Sequence, residues 1–272
     1  MARYGHLGYL GAAAFVVVGL FAASPAGAQS GDFSLGGAGP AEEGWTLGLG
    51  VGAAPDYEGS EDYEAVPIPK VRWDRGDGVY ADLTGLTFTA NVLANRDFEF
   101  GPVVQVRGER DDVDNDAVDR LDDVDTAVEV GAFLKFLFGD WSIGGRAQVD
   151  VADAHDGWLA ELRGGYDGSI GSSWSYTAGA YTTYASDDYM EAYFGIDAAN
   201  SAASGLSTFD ADAGLKDVGV DFSMTYLDWR PWAVTGIVAY KRLLDDAEDS
   251  PVTDDVGSEN QVFIGLLGSY RF

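Results

Sequence analysis

The sequence predicts an all-β transmembrane protein: a closed, antiparallel, up-and-down β-barrel of about twelve strands. Three observations predict this fold. The N-terminus resembles an export signal, apolar and polar residues alternate over long runs, and short and long connections alternate between those runs. The runs approach the length of about 9–11 residues that a tilted strand needs to cross a bilayer. A soluble β-sandwich shows the same alternation, but its strands are usually shorter.

Residues 1–28 have the three parts of a secretory signal peptide. Arg3 gives a positive start, residues 10–23 are almost all apolar, and Ala26-Gly27-Ala28 is a small-x-small cleavage site. We therefore predict cleavage after Ala28, a flexible periplasmic lead-in over 29–43 and the outer-membrane barrel over 44–272. A membrane anchor is the alternative, but the apolar run is short for a bilayer and a cleavage site follows it.

The barrel prediction depends on alternation with a period of two. Val128, Val130, Ala132 and Leu134, for example, are separated by single residues, most of them polar or glycine. Successive side chains of a strand point to opposite faces, so each run has one apolar face for lipid and one polar face for the lumen. We predict strands over 45–53, 66–73, 79–83, 86–93, 98–107, 126–138, 142–151, 158–170, 174–185, 217–227 and 232–244, and a last strand that ends at Phe272.

Twelve strands place both termini on the periplasmic side, as expected for this class. Reading Thr84-Gly85 as a bulge in one long strand gives ten strands instead. Prolines interrupt a hydrogen-bonded ladder, so we expect Pro67 and Pro69 at the outer lip. The sequence offers no explanation for Pro102.

Short turns are predicted on the periplasmic side and long acidic loops on the extracellular side. Trp141, Trp174 and Trp232 each follow a predicted tight turn. Indole rings favour the membrane interface, so we predict that these three form a periplasmic aromatic girdle. The alternative is that they are core tryptophans of a sandwich.

Composition excludes several functions. The chain has 45 acidic against 16 basic residues, a net charge of −29, and no cysteine. This charge repels nucleic acid, so we predict no nucleic-acid partner. The absence of cysteine excludes disulfides, thiolate catalysis and cysteine-ligated zinc, and no pattern indicates a cofactor.

Several segments resemble the MipA/OmpV family of outer-membrane proteins, which is named after the MltA-interacting protein. They are 47–63, 189–196, 213–220, 240–251 and 268–272, so the resemblance extends over essentially the whole mature chain. It implies an outer-membrane barrel. Some members are linked to scaffolding a murein hydrolase and a murein synthase, and others to permeation or host contact. The family has no agreed catalytic residues, so the resemblance implies none here.

The predicted partners follow from this location. They are outer-membrane lipid, lipopolysaccharide, the barrel-assembly machinery and a periplasmic murein hydrolase or synthase. The C-terminal Tyr270 and Phe272 match the pattern that the assembly machinery reads in other outer-membrane proteins; a simple end to the lipid-facing side is the second interpretation.

Two loops contain candidate catalytic or metal-binding residues. His155 lies among carboxylates in a predicted rim loop, which allows a base, but no second catalytic group can be placed beside it. We therefore predict no enzyme and interpret His155 as a solvated loop residue. The acidic loop 109–125 places Asp112, Asp114, Asp116 and Asp123 in a partial calcium-loop pattern, without the glycine and glutamate that the pattern needs. A solvated charge run is the favoured interpretation, and loose cation binding is the alternative.

Charged residues also occur on the predicted lumen face of the strands, because a charge facing lipid would be costly. They are Lys70, Arg72, Arg107, Glu129, Lys135, Arg146, Asp150, Glu161, Arg163 and Lys241. They indicate either a plugged core or a narrow pore. The predicted function is a structural or scaffolding role for periplasmic murein-processing enzymes. The alternatives are a narrow channel for small solutes and a hydrolase located at the rim.

Overall fold

The computed structural model describes residues 43–272, so the predicted signal peptide and nearly all of the lead-in lie outside the described residues. The described chain forms one closed barrel of antiparallel strands. The strands are β1 (Gly44–Pro55), β2 (Tyr63–Asp74), β3 (Tyr80–Thr84), β4 (Thr87–Asn91), β5 (Phe98–Arg107), β6 (Ala127–Phe138), β7 (Trp141–Asp150), β8 (Trp158–Ile170), β9 (Trp174–Ala185), β10 (Gly214–Tyr226), β11 (Trp232–Leu243) and β12 (Asn260–Arg271). Twelve strands are confirmed, and the ten-strand alternative is wrong.

The strands present their apolar side chains outward. Leu49 and Val51 on β1 are 70% and 56% exposed, whereas Gln261 and Phe263 on the inner face of β12 are fully buried. Exposed large apolar side chains occur on the outer face of most strands, and a continuous apolar band of this kind is the arrangement of a membrane barrel. Pairing of β1 with β12, from Thr46↔Arg271 to Ala53↔Ile264, closes the cylinder and leaves no free sheet edge at this seam.

Residues 84–87 form a true hairpin turn. Thr84 pairs with Thr87, and Gly85 adopts a positive φ of 59° between them. This β3–β4 hairpin is short and reaches only to Lys70 on β2. Beyond that level, the β3-facing edge of β2 pairs with no strand within residues 43–272.

The unpaired edge of β2 explains two prolines. Pro67 and Pro69 lie within the β1–β2 ladder, opposite Val51 and Leu49, and not at the outer lip as the sequence predicted. The carbonyl of Pro69 accepts a hydrogen bond from the amide of Gly85, so these prolines face the β3 side. Proline lacks an N–H donor and is tolerated on such an edge.

Pro102 has a related explanation. It lies on β5 opposite Ala132 of β6, and its imide nitrogen faces β4, because the amide of Val106, four residues on, bonds to Leu86 on that side. The register between β4 and β5 ends at Thr89↔Val103, one step before Pro102. The missing donor of Pro102 therefore interrupts the β4–β5 ladder, and backbone bonding resumes where the Val92 amide donates to the Phe100 carbonyl at 3.1 Å.

The barrel has two different ends. The other tight turns lie at what we call the turn end, together with both ends of the closed sheet, Gly44 and Phe272. Long connections lie at the opposite loop end, and they contain four short helices: α1 (Asp187–Phe194), α2 (Ala198–Ser204), α3 (Asp245–Asp249) and α4 (Pro251–Asp254). The sequence predicted these segments as loops only. Within residues 43–272, no helix has the length and apolar character needed to cross a membrane.

The largest buried apolar cluster lies at the loop end. Tyr189, Met190, Tyr193 and Phe194 of α1 are fully buried and pack against wall residues such as Leu159. In the same segment α2 begins with a side-chain cap, because Asp197 accepts a hydrogen bond from the Asn200 amide. Helix α1 therefore presents an apolar surface to the barrel interior and fills its loop end.

Candidate functional site

Helix α1 crosses the lumen and closes it. The ring of Tyr189 lies 5.2 Å from the guanidinium carbon of Arg107 on β5 and 5.5 Å from Nζ of Lys216 on β10. Strands β5 and β10 are separated by four other strands along the shorter path around the cylinder. A side chain that reaches both walls spans the interior. We call α1 together with the inward-folded loop 56–62 the plug.

Glu58 connects the plug to the wall. Its Oε1 accepts hydrogen bonds from Lys216 and from Nζ of Lys241 at 2.5 Å, and its Oε2 accepts the hydroxyl of Tyr189 at 2.6 Å. Lys216 also pairs with Asp217 at 2.7 Å. One carboxylate thus joins loop 56–62, helix α1 and two adjacent strands.

The electrostatics of Glu58 favour the charged form. Burial raises the pKa of its carboxyl, but the charges of Lys216 and Lys241 and their hydrogen bonds outweigh this effect and lower the pKa to about 2. In the same loop, burial raises the pKa of the Tyr57 hydroxyl to about 12. The plug therefore holds an ionised glutamate and a neutral tyrosine at neutral pH.

A second buried charge group contains His155. Arg107 Nε donates to Glu129 Oε1 at 2.9 Å, and His155 Nε2 lies 3.3 Å from the same oxygen. His155 Nδ1 accepts the Gly157 amide at 3.1 Å, which assigns the ring proton to Nε2. The His155 side chain is 0% exposed, so its interpretation as a solvated loop residue is wrong.

Asp150 explains this burial. Its carboxylate accepts backbone amides of Ala154 at 2.6 Å and His155 at 2.9 Å. These bonds curl the loop inward, and the imidazole packs edge-on against Tyr189 at 4.9 Å between ring centroids. The sequence contained one signal for this turn, an aspartate ahead of a Gly- and Asp-rich segment, which favours side-chain bonds to nearby amides.

Six further charged residues predicted for the lumen lie on the inward face and form ion pairs there. The pairs are Lys70–Asp82 (3.1 Å), Arg72–Asp74 (2.9 Å), Arg72–Asp82 (3.4 Å), Lys135–Glu99 (2.7 Å), Arg146–Glu161 (3.1 Å) and Arg163–Asp221. Asp82, Glu99 and Asp221 are not among the charges predicted for the lumen. Each lies at an inward position of its strand, so the alternation of inward and outward residues was sufficient to identify them.

The turn-end half of the lumen is open. It contains a cavity of about 800 Å³, bordered by the turn residues Asp140, Gly171 and Ser172. A second cavity of about 400 Å³ shares Arg72 and Leu227 with the first. We call these two compartments the vestibule. A separate space of about 20 Å³, large enough for a water molecule, lies above the Arg146–Glu161 pair and beneath the plug.

Exposure of the ion pairs follows this division. In the vestibule, the side chain of Lys135 is 36% exposed, whereas Lys216 in the plug layer is only 3% exposed. The lumen is therefore wet and polar towards the turn end and dry towards the loop end.

The acidic loop has local order. It contains an isolated bridge, Arg110↔Val124, and a 3₁₀ turn over Val118–Arg120. Asp112 adopts a positive φ of 54°, and the amide of Asp114 donates to Asp56 at 2.9 Å. No three acidic or histidine side chains in the described part of the chain gather closely enough to hold a metal ion. Cation binding by Asp112, Asp114, Asp116 and Asp123 thus lacks a formed ligand set.

The three predicted girdle tryptophans are the first residues of β7, β9 and β11 at the turn end, and all face outward. Each contacts a tyrosine of a neighbouring strand, with ring centroids 4.8 to 4.9 Å apart. The pairs are Trp141–Tyr166, Trp174–Tyr226 and Trp232–Tyr270. These tyrosines are not part of the predicted girdle. The girdle role itself stays a prediction.

The predicted assembly signal lies beside this ring of aromatic residues. Tyr270 contacts Phe272 at 4.9 Å between ring centroids, and Phe272 is 70% exposed. Its recognition by the assembly machinery also stays a prediction.

A closed cylinder of strands, apolar outside and charged inside, defines an integral β-barrel of the outer membrane. Comparisons with known proteins identify the kind of barrel. The family model described as MltA-interacting protein MipA matches residues 47–272. The chain therefore belongs to the MltA-interacting protein family, and it is an outer-membrane protein.

Curated relatives agree with this location. A protein of Escherichia coli strain K12 named "Putative outer membrane protein YiaT" is 27% identical over 234 residues, which cover 83% of this chain and 91% of that protein. Its counterpart in Escherichia coli O157:H7 matches to the same extent.

Among solved structures, an outer-membrane channel from Pseudomonas putida F1 has a TM-score of 0.46 at 10% identity and covers 88% of this chain and 100% of its own. The NanC porin has a TM-score of 0.45 at 11% identity and covers 83% of this chain and 100% of its own.

Proposed function

We propose that this barrel is a structural scaffold that presents its turn end to murein-processing enzymes in the periplasm. The observation that carries the proposal is the plug. Loop 56–62 and α1 fill the loop end of the lumen with buried side chains, and Glu58 joins them to two strands. A lumen that is closed at one end does not favour constant solute flow. The turn end is then the surface that is available for a partner protein.

Short turns of outer-membrane barrels face the periplasm, and long loops face the exterior. The turn end therefore faces the compartment in which murein enzymes act. Its turns include exposed side chains of mixed character, with Trp229 61% exposed and the Arg75–Asp77 pair in solvent. The family description supports a periplasmic protein partner, because it names an interaction with MltA, a murein hydrolase. We place the docking surface on the periplasmic turns and the lead-in 29–43.

A pull-down with a purified lytic transglycosylase tests this surface. The wild type should retain the enzyme, and a variant with all periplasmic turns replaced by Gly-Ser linkers should lose it. A matched variant in which only α2 is replaced alters the opposite end and should retain the enzyme. Equal capture by the turn-replaced variant would refute the proposed surface.

The second candidate function is a narrow channel, which the polar vestibule favours. Solute flow then requires movement of the plug, since α1 spans the lumen. Steady single-channel steps from the wild type in planar bilayers would support the channel, and silence would support the scaffold.

We include no catalytic role in the proposal. The buried position of His155 supports this choice, because its ring contacts Glu129, Gly157 and Tyr189 and not solvent. Unchanged lipid or peptide hydrolysis in membranes with His155→Ala would agree with it, and a loss of such activity in a folded variant would contradict it.

A further inference from the structure

The vestibule has the dimensions of a ligand pocket. Its larger compartment of about 800 Å³ lies within the range of about 300–1,000 Å³ that is usual for small-molecule sites. Turn residues border its mouth, and the Arg146–Glu161 pair lies at its inner end. A solute can therefore enter it from the periplasm without passing the plug.

Hydroxyl groups are prominent in its wall. Strands β3, β4, β7, β8 and β9 contribute the side chains of Thr84, Thr87, Thr89, Ser142, Ser169, Ser175 and Thr177. A hydroxyl both donates and accepts hydrogen bonds and turns to suit its partner. Such a wall complements a ligand that itself has many hydroxyl groups.

The cations of this wall already have acidic partners. Arg72, Lys135, Arg146 and Arg163 are paired with Asp82, Glu99, Glu161 and Asp221 respectively. Two further acids, Asp140 and Asp167, also line the cavity. Among its described residues, the larger compartment therefore has no excess of positive charge for an anionic ligand. The paired groups instead present polar atoms to the cavity.

The wall also has an apolar part. Phe133 and Leu137 of β6 face inward beside Lys135. Saccharides combine hydroxyl-rich edges with apolar ring faces, and an aromatic side chain supplies contact area for such a face. From the hydroxyl lining, the paired charges and this apolar strip, we propose that the larger compartment of the vestibule binds a neutral saccharide that enters from the periplasm. This inference goes beyond the scaffold proposal and does not depend on it.

Thiol protection provides the direct test, because the chain has no cysteine. Ser142→Cys places one thiol in the vestibule, and Ala203→Cys places one on α2 at the loop end. Refolded protein is treated with a small maleimide, with or without the tetramer of N-acetylglucosamine. At ten times its dissociation constant, the saccharide should slow labelling of S142C about tenfold and leave A203C unchanged.

Charged probes of similar length provide the comparison. Tetraglutamate and tetralysine peptides should protect S142C less than the saccharide does. Equal labelling with and without saccharide, better protection by either peptide, or a thiol at position 142 that never reacts would each overturn the proposal.

Hydroxyl removal provides a second test. Thr87→Val together with Ser142→Ala should weaken saccharide binding about threefold to tenfold, as expected for lost neutral hydrogen bonds. Thr253→Val is the matched control, since that hydroxyl is buried in the plug region and has no hydrogen-bond partner within residues 43–272. Unchanged affinity in the folded double variant would contradict the proposed site. If that variant does not fold, the thiol protection of S142C tests the proposed saccharide site instead.

The two proposals fail separately. Wild-type protein that binds the saccharide but does not retain the transglycosylase would contradict the scaffold alone. Wild-type protein that retains the enzyme but binds no saccharide would contradict the saccharide site alone.

Discussion

Nζ of Lys241 lies 2.5 Å from Oε1 of Glu58, and the two side chains are 1% and 0% exposed. The pair joins β11 to the loop between β1 and β2, and Lys216 of β10 bonds to the same oxygen. Two buried lysines would repel each other without this carboxylate. The position of the plug therefore depends on one ionised group, and its removal should affect the whole loop end.

Glu58→Gln should destabilise the folded barrel. The substitution keeps the shape of the side chain but removes the negative charge that compensates Lys216 and Lys241. Breaking a buried ion pair by removing one partner costs about 3–5 kcal/mol. Urea-induced unfolding of the refolded protein in lipid vesicles measures the change in free energy of unfolding.

Glu61→Gln is the matched control, because Glu61 is an exposed acid in the same loop. It should change the free energy of unfolding by less than about 0.5 kcal/mol. Adding Lys241→Met to Glu58→Gln should recover part of the loss, since Lys216 keeps Asp217 as a partner at 2.7 Å. Equal destabilisation by E58Q and E61Q would contradict the role of Glu58.

The same group should produce an acid-dependent loss of stability. The pKa of Glu58 is lowered from an ordinary value of 4.5 to about 2 in the folded protein. A lowered folded pKa stabilises the fold fully above the unfolded pKa, and this stabilisation is lost as pH falls through the folded pKa. The difference in free energy of unfolding between wild type and E58Q should therefore be largest above pH 4.5 and should shrink between pH 4.5 and pH 2. A difference that is constant across this window would show that Glu58 does not titrate as proposed.

Removal of the plug helix should open the lumen. Replacement of residues 187–204 by a Gly-Ser linker deletes Tyr189 and Tyr193, which lie between the opposite walls. In planar bilayers this variant should give steady current steps that are larger than any from the wild type. Replacement of α2 alone leaves α1 in place and should keep the wild-type behaviour. A silent deletion variant that still passes a heat-modifiability gel would show that other loops close the barrel.

The barrel itself was predictable because the signal repeats. Val130 and Leu134 are apolar and must face lipid, whereas the neighbouring Glu129 and Lys135 are charged and must face the lumen. The same alternation recurs in the other strands. The bounds of β5, β8 and β9 agree with the predicted ranges. The prolines were harder, because their positions depend on where the β3–β4 hairpin ends, which alternation does not fix.

The plug was not predictable for a different reason. Helix α1 has only eight residues, and its buried tyrosines are polar enough to suit a loop. Glu58 lies 158 residues before Lys216 and 183 before Lys241, so no local pattern connects them. The burial of His155 likewise depends on Glu129 and Tyr189, which are remote in the sequence.

Gly179 allows an ion pair to extend over three strands of the vestibule wall. Arg163 of β8 reaches Asp221 of β10 across β9, where Gly179 is the residue paired with Asp221. A methyl group on Gly179 would meet the Arg163 guanidinium and lie 2.6 Å from Oδ1 of Asp221. Gly179→Ala should therefore displace this pair and cost about 1.5–3 kcal/mol, the range for loss of a hydrogen bond to a charged group.

Gly236→Ala provides the matched control for this substitution. Gly236 faces outward on β11, and a methyl group there meets nothing within 4 Å among the described residues. Alanine loses less conformational freedom on folding than glycine, so G236A should be neutral or should stabilise the barrel by up to about 1 kcal/mol. Urea-induced unfolding in vesicles compares the two variants under the same conditions. Equal free energies of unfolding for G179A and G236A would show that the Arg163–Asp221 bridge does not need the open glycine surface beneath it.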